Sequence, residues 1–301
     1  MRKDDLTTGP MALHFRTLAI PAAFGMLFTT LYNVVDVYYA GLLSTDAQAG
    51  LAIGYQAFFV LMAVGFGLSS ALSTLVSNAK GSDDAAETQR YVVQGLAFGG
   101  VITASCMVIG WFLGPELIVL VSEPGAYRDA AMGYFYWLIF ALPGFLLAYG
   151  GNGILQAHGD SRSMQRALMA AFIANIGLNP LFMFGLPGVW SGMGFNGIAA
   201  ATIISQTGVM VYILVRIFQL EVMQSVQITT FQPDKDSFRK IFAQLLLRSL
   251  FLFLQIQNSY HCTYHKKNVH FMSICAFLNL SFYVKSKVTN CSVQHKEIIC
   301  N

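Results

Sequence analysis

Long apolar runs alternate with short polar segments along most of the chain. Six stretches, at about 17–41, 50–76, 92–113, 131–156, 166–186 and 197–218, are mostly apolar and reach the length of about 20 residues that crosses the hydrocarbon core as a helix. None alternates polar and apolar positions with a period of two, so the pattern disfavours a β-barrel. It predicts an all-α membrane protein in which residues 1–218 form a six-transmembrane-helix bundle.

Composition supports a chain that is embedded in a lipid bilayer. Hydrophobic residues make up 55% of the sequence and charged residues only 11%, with a mean hydropathy of +0.56. Soluble domains carry about 25% charged residues. The net charge of +3 is too small and dispersed for a nucleic-acid partner. No P-loop, dinucleotide fingerprint or Ser/His/Asp set is present, so we predict no enzyme activity and no cofactor.

The distribution of basic residues predicts the orientation of the bundle. Lys and Arg concentrate on the cytoplasmic side of short membrane loops. The alternate loops, near 42–49, 114–130 and 187–196, contain a single basic residue, Arg128. We therefore expect a multi-pass protein of the plasma or inner membrane whose N-terminus, loops near 77–91 and 157–165, and segment after 218 are cytoplasmic. The basic residues on that side are Arg2, Lys3, Arg16, Lys80, Arg90, Arg162, Arg166, Arg216, Lys235, Arg239 and Lys240.

Composition changes in the last part of the chain. Residues 219–246 are predicted to form a cytoplasmic linker and the start of a seventh helix. Residues 247–301 contain no Gly or Pro but four of the five cysteines, and we interpret them as an aberrant, irregular tail from a shifted reading frame or translated non-coding sequence. The alternative is a genuine C-terminal domain with a zinc site. Its spacing matches no ordinary finger, so no metal is predicted there. The candidate ligands are His261, Cys262, His265, His270 and Cys275.

Asp36 is the only acidic residue well inside any of the six stretches. A carboxylate within the bilayer is costly unless it faces a cavity or a partner. Gly25, Thr29, Tyr32 and Asn33 precede it by eleven, seven, four and three residues and therefore share its helix face. This stripe predicts an acid in a polar cavity. The alternative is that Asp36 lies near the outer end of its helix and reaches the headgroups.

Two further pairs of polar residues lie four positions apart. Asn175 and Asn179 share a face of the fifth stretch, either as contacts between helices or as part of a cavity with Asp36. Thr202 and Gln206 in the sixth stretch are interpreted chiefly as packing contacts.

Four segments carry a resemblance to a known family. They are LYNVVDVYYAG together with Pro21 in the first stretch, GILQAHGDSRS at 153–163, NIGLNPLFMFG in the fifth stretch, and FQPDKDSFRKIFAQ at 231–244. With these segments the chain resembles the multidrug and toxic compound extrusion (MATE) family over roughly residues 10–245. Members of that family have twelve spanning helices in two lobes. The resemblance implies the first lobe, the linker and the start of the seventh helix, as a truncated form.

The resemblance also implies a function and a site. It implies an antiporter that exports cationic or amphipathic drugs or toxins in exchange for H+ or Na+. Asp36 matches the acid of the first-lobe cation site, which allows Na+ there. Tyr32, Asn175, Asn179 and Thr202 match positions around it, although Asn179 replaces an aspartate found in some members. Pro21 matches a helix-bending proline, although a proline near the start of a helix is also tolerated without a bend.

Other functions stay open at this point. The chain could be a non-functional fragment, because alternating access ordinarily needs two lobes, supplied by a partner lobe or by self-association. It could be a lipid-linked oligosaccharide flippase of the same superfamily, which would favour cationic residues in the cavity. It could also be a receptor-like membrane protein without transport.

Overall fold

The computed structural model describes residues 11–186, 188–189, 191–224 and 233–264, with the side chains of 11–24, 26 and 250–264 excepted. The described chain is helical, with short connections between the helices. The helices are α1 (Met11–Leu43), α2 (Thr45–Gly81), α3 (Ala85–Val121), α4 (Ala126–Ile139), α5 (Leu142–Ala157), α6 (Ser163–Phe184), α7 (Asn196–Phe218), α8 (Glu221–Gln224) and α9 (Lys235–Tyr264).

The helices fall where the apolar stretches predict spans. Within the described part, α2, α3, α6 and α7 are each long and apolar enough to cross a membrane, and the bent pair of α4 and α5 is together long and apolar enough to make one further span. The first predicted span lies in α1, whose 33 residues exceed the length that a crossing needs. The chain is therefore an all-helical, multi-pass membrane protein.

The fourth predicted stretch is not one continuous helix. It is divided into α4 and α5, whose axes differ by 53°. Pro143 begins α5, and a proline ring would clash with the carbonyl four residues earlier in an unbroken helix. The backbone turns instead through Phe140 and Ala141, whose N–H groups donate to the carbonyls of Trp137 and Leu138 at 3.1 and 2.8 Å.

α2 is the central helix and packs against α1, α3, α4, α5 and α9. Its closest approach to α5 occurs at Gly153, where a Cβ would overlap the backbone carbonyl oxygen of Ser69. α5 approaches α7 in the same way at Gly144, whose Cβ would lie 2.8 Å from the carbonyl carbon of Gln206. Small residues thus let backbones touch, which is a main source of packing energy between helices in lipid.

Polar side chains at the ends of α2, α3 and α6 fix the turns. Ser44 accepts a hydrogen bond from the N–H of Ala47 at 3.0 Å, and Asp84 accepts one from the N–H of Glu87 at 2.8 Å. Such N-caps satisfy N–H groups that have no partner within the helix. We call the end of the bundle that contains residues 82–84, 158–162 and the start of α9 the basic end.

Asp160, in the loop after α5, connects α6 and α7 at the basic end. Its carboxylate accepts from the hydroxyl of Ser163 at 2.6 Å and from the guanidinium of Arg216 on α7 at 2.9 Å. Partial burial alone would raise the pKa of Asp160. Four hydrogen bonds to the carboxylate outweigh this effect of burial, so the pKa lies below its ordinary value. They come from the side chains of Ser163 and Arg216 and from the backbone N–H groups of Arg162 and Ser163. The charged form is thus favoured by folding.

We expect Asp160→Asn to lower the thermal stability of the protein at neutral pH by about 1 kcal/mol, because the variant loses the charge that binds Arg216. The folded pKa is depressed, so this stabilisation is complete above the unfolded pKa of about 3.9 and is lost as the pH falls through the folded value. Melting temperatures of the wild type and of Asp160→Asn, measured in detergent from pH 7 to pH 3, test this loss of stabilisation. The difference in melting temperature between the wild type and Asp160→Asn should be constant to about pH 5 and shrink below about pH 4. A difference that grows on acidification would contradict the prediction.

The start of α9 is attached to α3. Asp234 forms an ion pair with Arg90, its backbone N–H donates to Gln94 at 3.0 Å, and its carboxylate accepts from the N–H of Ser237 at 3.0 Å. Phe238 meets Phe98 edge to face with ring centroids 5.2 Å apart. These contacts place the helix against the bundle from its first turn.

α9 extends to Tyr264, past the predicted domain boundary at 246. No Gly or Pro lies between the boundary and the helix end, so nothing in the sequence interrupts it. The side chain of Ser249 packs near Gly67 of α2. The proposed zinc ligands lie outside the described side chains. That residues 247–301 are aberrant stays a prediction, and residues 265–301 lie outside the described chain.

Candidate functional site

Asp36 lies inside the bundle, with 4% of its surface exposed. Its Oδ1 accepts a hydrogen bond from Nδ2 of Asn179 on α6 at 2.8 Å, and its Oδ2 accepts one from the hydroxyl of Thr202 on α7 at 3.3 Å. The acid therefore joins three helices, and the alternative of an acid reaching the headgroups does not fit this burial.

The two asparagines of α6 are fully buried and belong to the same cluster. Nδ2 of Asn179 donates to Oδ1 of Asn175 at 3.0 Å as well as to Asp36. Oδ1 of Asn179 and Nδ2 of Asn175 have no hydrogen-bond partner. A buried amide oxygen without a donor beside a carboxylate is an arrangement that a hard cation or a water molecule can complete, because such ions prefer oxygen ligands.

Tyr32 and Ser205 form a second buried contact one helical turn away from the acid. The Tyr32 hydroxyl and the Ser205 hydroxyl lie 2.7 Å apart, and Ser205 also lies 2.8 Å from the carbonyl of Ala201, to which it donates. This contact connects α1 to α7 beside Thr202. Asn33, on the same face of α1, lines the adjoining pocket.

The pocket next to Asp36 lies between α1, α2, α5, α6 and α7. Its free volume is about 20 Å³, which is room for about one water molecule or small ion. Half of the residues that line it are aromatic, and the ring centroids of Phe66 and Tyr149 are 4.7 Å apart. In this conformation the site fits an ion, and a larger molecule requires the aromatic walls to separate.

The acid lies between two halves of the hydrophobic core. Tyr32 belongs to the cluster toward the basic end and Ala40 to the cluster toward the other end, and Asp36 is one helical turn from each. Thr202 has the same position on α7, between Ala199 and Val209. The polar cluster therefore interrupts an otherwise apolar interior, and it lies nearer to the end of the bundle opposite the basic end.

The structure places the predicted site residues as follows. Asp36, Asn175, Asn179 and Thr202 form one hydrogen-bonded cluster, which Tyr32 and Asn33 adjoin. Pro21 lies within α1, but its side chain is outside the described ones.

Sequence reasoning missed other parts of the site. Spacing within α7 favours packing for Thr202 and Gln206, and only the family resemblance places Thr202 at the site. In the structure Thr202 binds the acid, and both residues line the pocket. Tyr55 and Tyr149 also line it, although they were not singled out. A usable signal existed, since a hydroxyl in an apolar span needs a hydrogen-bond partner.

Pro180 does not break α6, which continues to Phe184. The proline cannot donate to the carbonyl of Ile176, four residues earlier. The hydroxyl of Tyr39 on α1 donates to that carbonyl at 3.2 Å. This bond supplies the missing donor and connects α1 to α6 beside Asn179.

The fold and the buried cluster define a multi-pass membrane protein with an interior acid in a polar site. The family model MatE matches residues 21–181, more than half of the 301 residues. The chain therefore belongs to the MatE family, the MATE transporters, whose members are transporters and not enzymes.

Two curated relatives are similar over part of their length. A FAD transporter of Shewanella oneidensis is 24% identical over 201 residues, which is 66% of this chain and 44% of the relative. The probable multidrug resistance protein YoeA of Bacillus subtilis is 26% identical over 173 residues, which is 58% of this chain and 37% of the relative. The chain spans less than half the length of either protein.

Solved structures show the same fold. A MATE protein in its bent conformation matches with a TM-score of 0.70 and 23% identity, over 81% of this chain and 54% of that protein. A MOP-superfamily transporter from Pyrococcus furiosus, described as having a binding pocket of reversed polarity, matches with a TM-score of 0.68 and 23% identity. The match covers 77% of this chain and 51% of that protein. The chain thus corresponds in fold to about half of a MATE transporter.

Proposed function

We propose that this chain forms one lobe of a secondary antiporter that exchanges H+ or Na+ for cationic or amphipathic small molecules such as drugs or toxins. The observation that carries the proposal is Asp36, buried and hydrogen-bonded by Asn179 and Thr202 at the edge of an aromatic pocket. The basic loops predict a cytoplasmic N-terminus. Within that orientation the proposal is export, with the coupling ion entering from the outer side.

Coupling rests on the charge of Asp36. An ionised carboxylate at this depth is stabilised mainly by two hydrogen bonds, so binding of H+ or Na+ relieves a substantial cost. Na+ would gain the free amide oxygen of Asn179 as a ligand. Neutralisation weakens the attraction that connects α1 to α6 and α7, and it shifts the population toward a conformation in which the helices separate. Substrate release accompanies that shift.

The pocket favours positively charged cargo. Tyr55, Phe59, Phe66 and Tyr149 present aromatic rings, which attract organic cations through their faces. Among the described side chains that line the pocket, none belongs to Lys, Arg or His. Pyrophosphate groups of a lipid-linked oligosaccharide or of FAD, which the Shewanella relative is named for, would meet Asp36 without a compensating cation.

Competition between cargo and coupling ion tests the proposal on the chain itself. Tetraphenylphosphonium should bind the purified chain in lipid nanodiscs, and binding should weaken when the pH is lowered or when Na+ replaces choline at constant ionic strength. Competition follows because both cations require the same carboxylate. Binding that neither ion changes contradicts antiport at Asp36.

Vesicle uptake separates transport from a receptor-like role. We expect an imposed pH or Na+ gradient to drive tetraphenylphosphonium movement across proteoliposomes in which the chain is paired with a second lobe or a second copy, because alternating access needs two lobes. Binding without gradient-driven movement under these conditions contradicts the antiporter and supports the receptor-like alternative.

A further inference from the structure

A separate groove opens at the basic end, away from Asp36. It lies between the end of α2, the start of α3 and α9, and its volume is about 450 Å³. That is within the range of small-ligand pockets, about 300–1,000 Å³. None of its lining residues belongs to the cluster around Asp36.

The groove presents one positive and one negative side chain. The ammonium of Lys240 lies 3.8 Å from the carboxylate of Glu87, and 55% and 38% of these side chains are exposed. The Lys240 ammonium also donates to the hydroxyl of Tyr91 at 3.1 Å. Arg90 on α3 already forms an ion pair with Asp234. The long separation between Lys240 and Glu87 leaves both charges able to take another partner.

Polarity changes along the groove as it does along a phospholipid. Glu87 is in the first turn of α3, and Ser82 ends α2 at the same level. Leu75 lies seven residues before Ser82, about 10 Å deeper at 1.5 Å per residue. Leu75 and Ala243 give the deeper wall apolar surface beside the amides of Asn78 and Gln244, whereas tyrosine and charged groups occupy the outer turns, the level at which Tyr and snorkelling Lys meet headgroups.

We propose that this groove binds the phosphoethanolamine headgroup of a membrane phospholipid. The phosphate lies against Lys240 and Tyr91, the ammonium lies against Glu87, and an acyl chain follows Leu75 and Ala243. A purely anionic headgroup would meet the Glu87 carboxylate without a cation of its own. A choline headgroup offers Glu87 no N–H donor.

Native mass spectrometry of the detergent-purified chain tests the proposal. We expect phosphatidylethanolamine to be retained about tenfold more than phosphatidylcholine or phosphatidylglycerol with the same acyl chains. Lys240→Gln and Glu87→Gln should each remove that preference. Arg239→Gln removes the same charge from the neighbouring, outward residue of α9 and should leave the preference intact.

Competition on the wild-type chain removes any dependence on the folding of the variants. Soluble phosphoethanolamine should displace the bound lipid, and inorganic phosphate at the same concentration should not. Equal retention of the three lipids, or equal displacement by phosphate, overturns the proposal. Asp36→Asn should not change the lipid preference, so this result is distinguishable from failure of the antiporter proposal.

Discussion

Replacement of Asp36 by asparagine is expected to weaken tetraphenylphosphonium binding at least about tenfold and to abolish its dependence on pH and Na+. The new amide keeps the shape of the carboxylate and an oxygen that can accept from Asn179 or Thr202. It cannot carry the negative charge that attracts an organic cation and that H+ or Na+ neutralises. Isothermal titration in nanodiscs measures both effects.

Asp46→Asn is the matched control for this variant. Asp46 is exposed in the first turn of α2, so the substitution removes the same charge without touching the pocket. Binding and ion dependence should equal those of the wild type. If Asp36→Asn retains ion-dependent binding while its melting temperature is unchanged, then Asp36 is not the coupling residue.

Gly153→Ala is expected to destabilise the bundle by about 3 kcal/mol or more, the upper range for overpacking. The added methyl group would overlap the Ser69 carbonyl oxygen and lie 2.8 Å from the carbonyl carbon. These are backbone atoms of a central helix, so no side-chain rotation relieves the clash, and α5 must move away from α2. Size-exclusion chromatography after heating should show a large fall in the melting temperature.

Gly177→Ala provides the comparison, because no described heavy atom outside the backbone of α6 itself lies within 4 Å of the added methyl group. Alanine is a better helix former than glycine by about 1 kcal/mol, so this variant should be at least as stable as the wild type. Gly95→Ala should be intermediate, since its methyl group meets the movable end of Leu72. Equal stability of the Gly153 and Gly177 variants would contradict the backbone contact.

Local sequence predicted the helices well because a membrane span requires an uninterrupted apolar run. It did not predict the bend between α4 and α5, although Pro143 was a local signal. The apolar content on both sides of that proline is high enough that hydropathy shows a single stretch. The sequence also did not predict that α9 continues beyond residue 246. The composition changes there, but a change of composition does not show where a helix ends.

The site was predictable only where helix periodicity applies. Spacing placed Tyr32 and Asn33 on the face of Asp36, and it placed Asn175 beside Asn179. Spacing within one helix gives no information on which faces of two helices meet. The bond from Thr202 to Asp36 joins residues 166 positions apart, and the Tyr39 bond to the Ile176 carbonyl joins residues 137 positions apart.

The sequence by itself determined that the chain crosses a membrane several times and carries one acid within an apolar stretch, because both properties depend on the solvation of individual segments. The tertiary structure alone decided that this acid is covered by α6 and α7, that an aromatic pocket from α2 and α5 adjoins it, and that a second, amphipathic groove forms against α9. These features arise from the close approach of backbones at glycines such as Gly153 and Gly144, which sets the relative rotation of the helices.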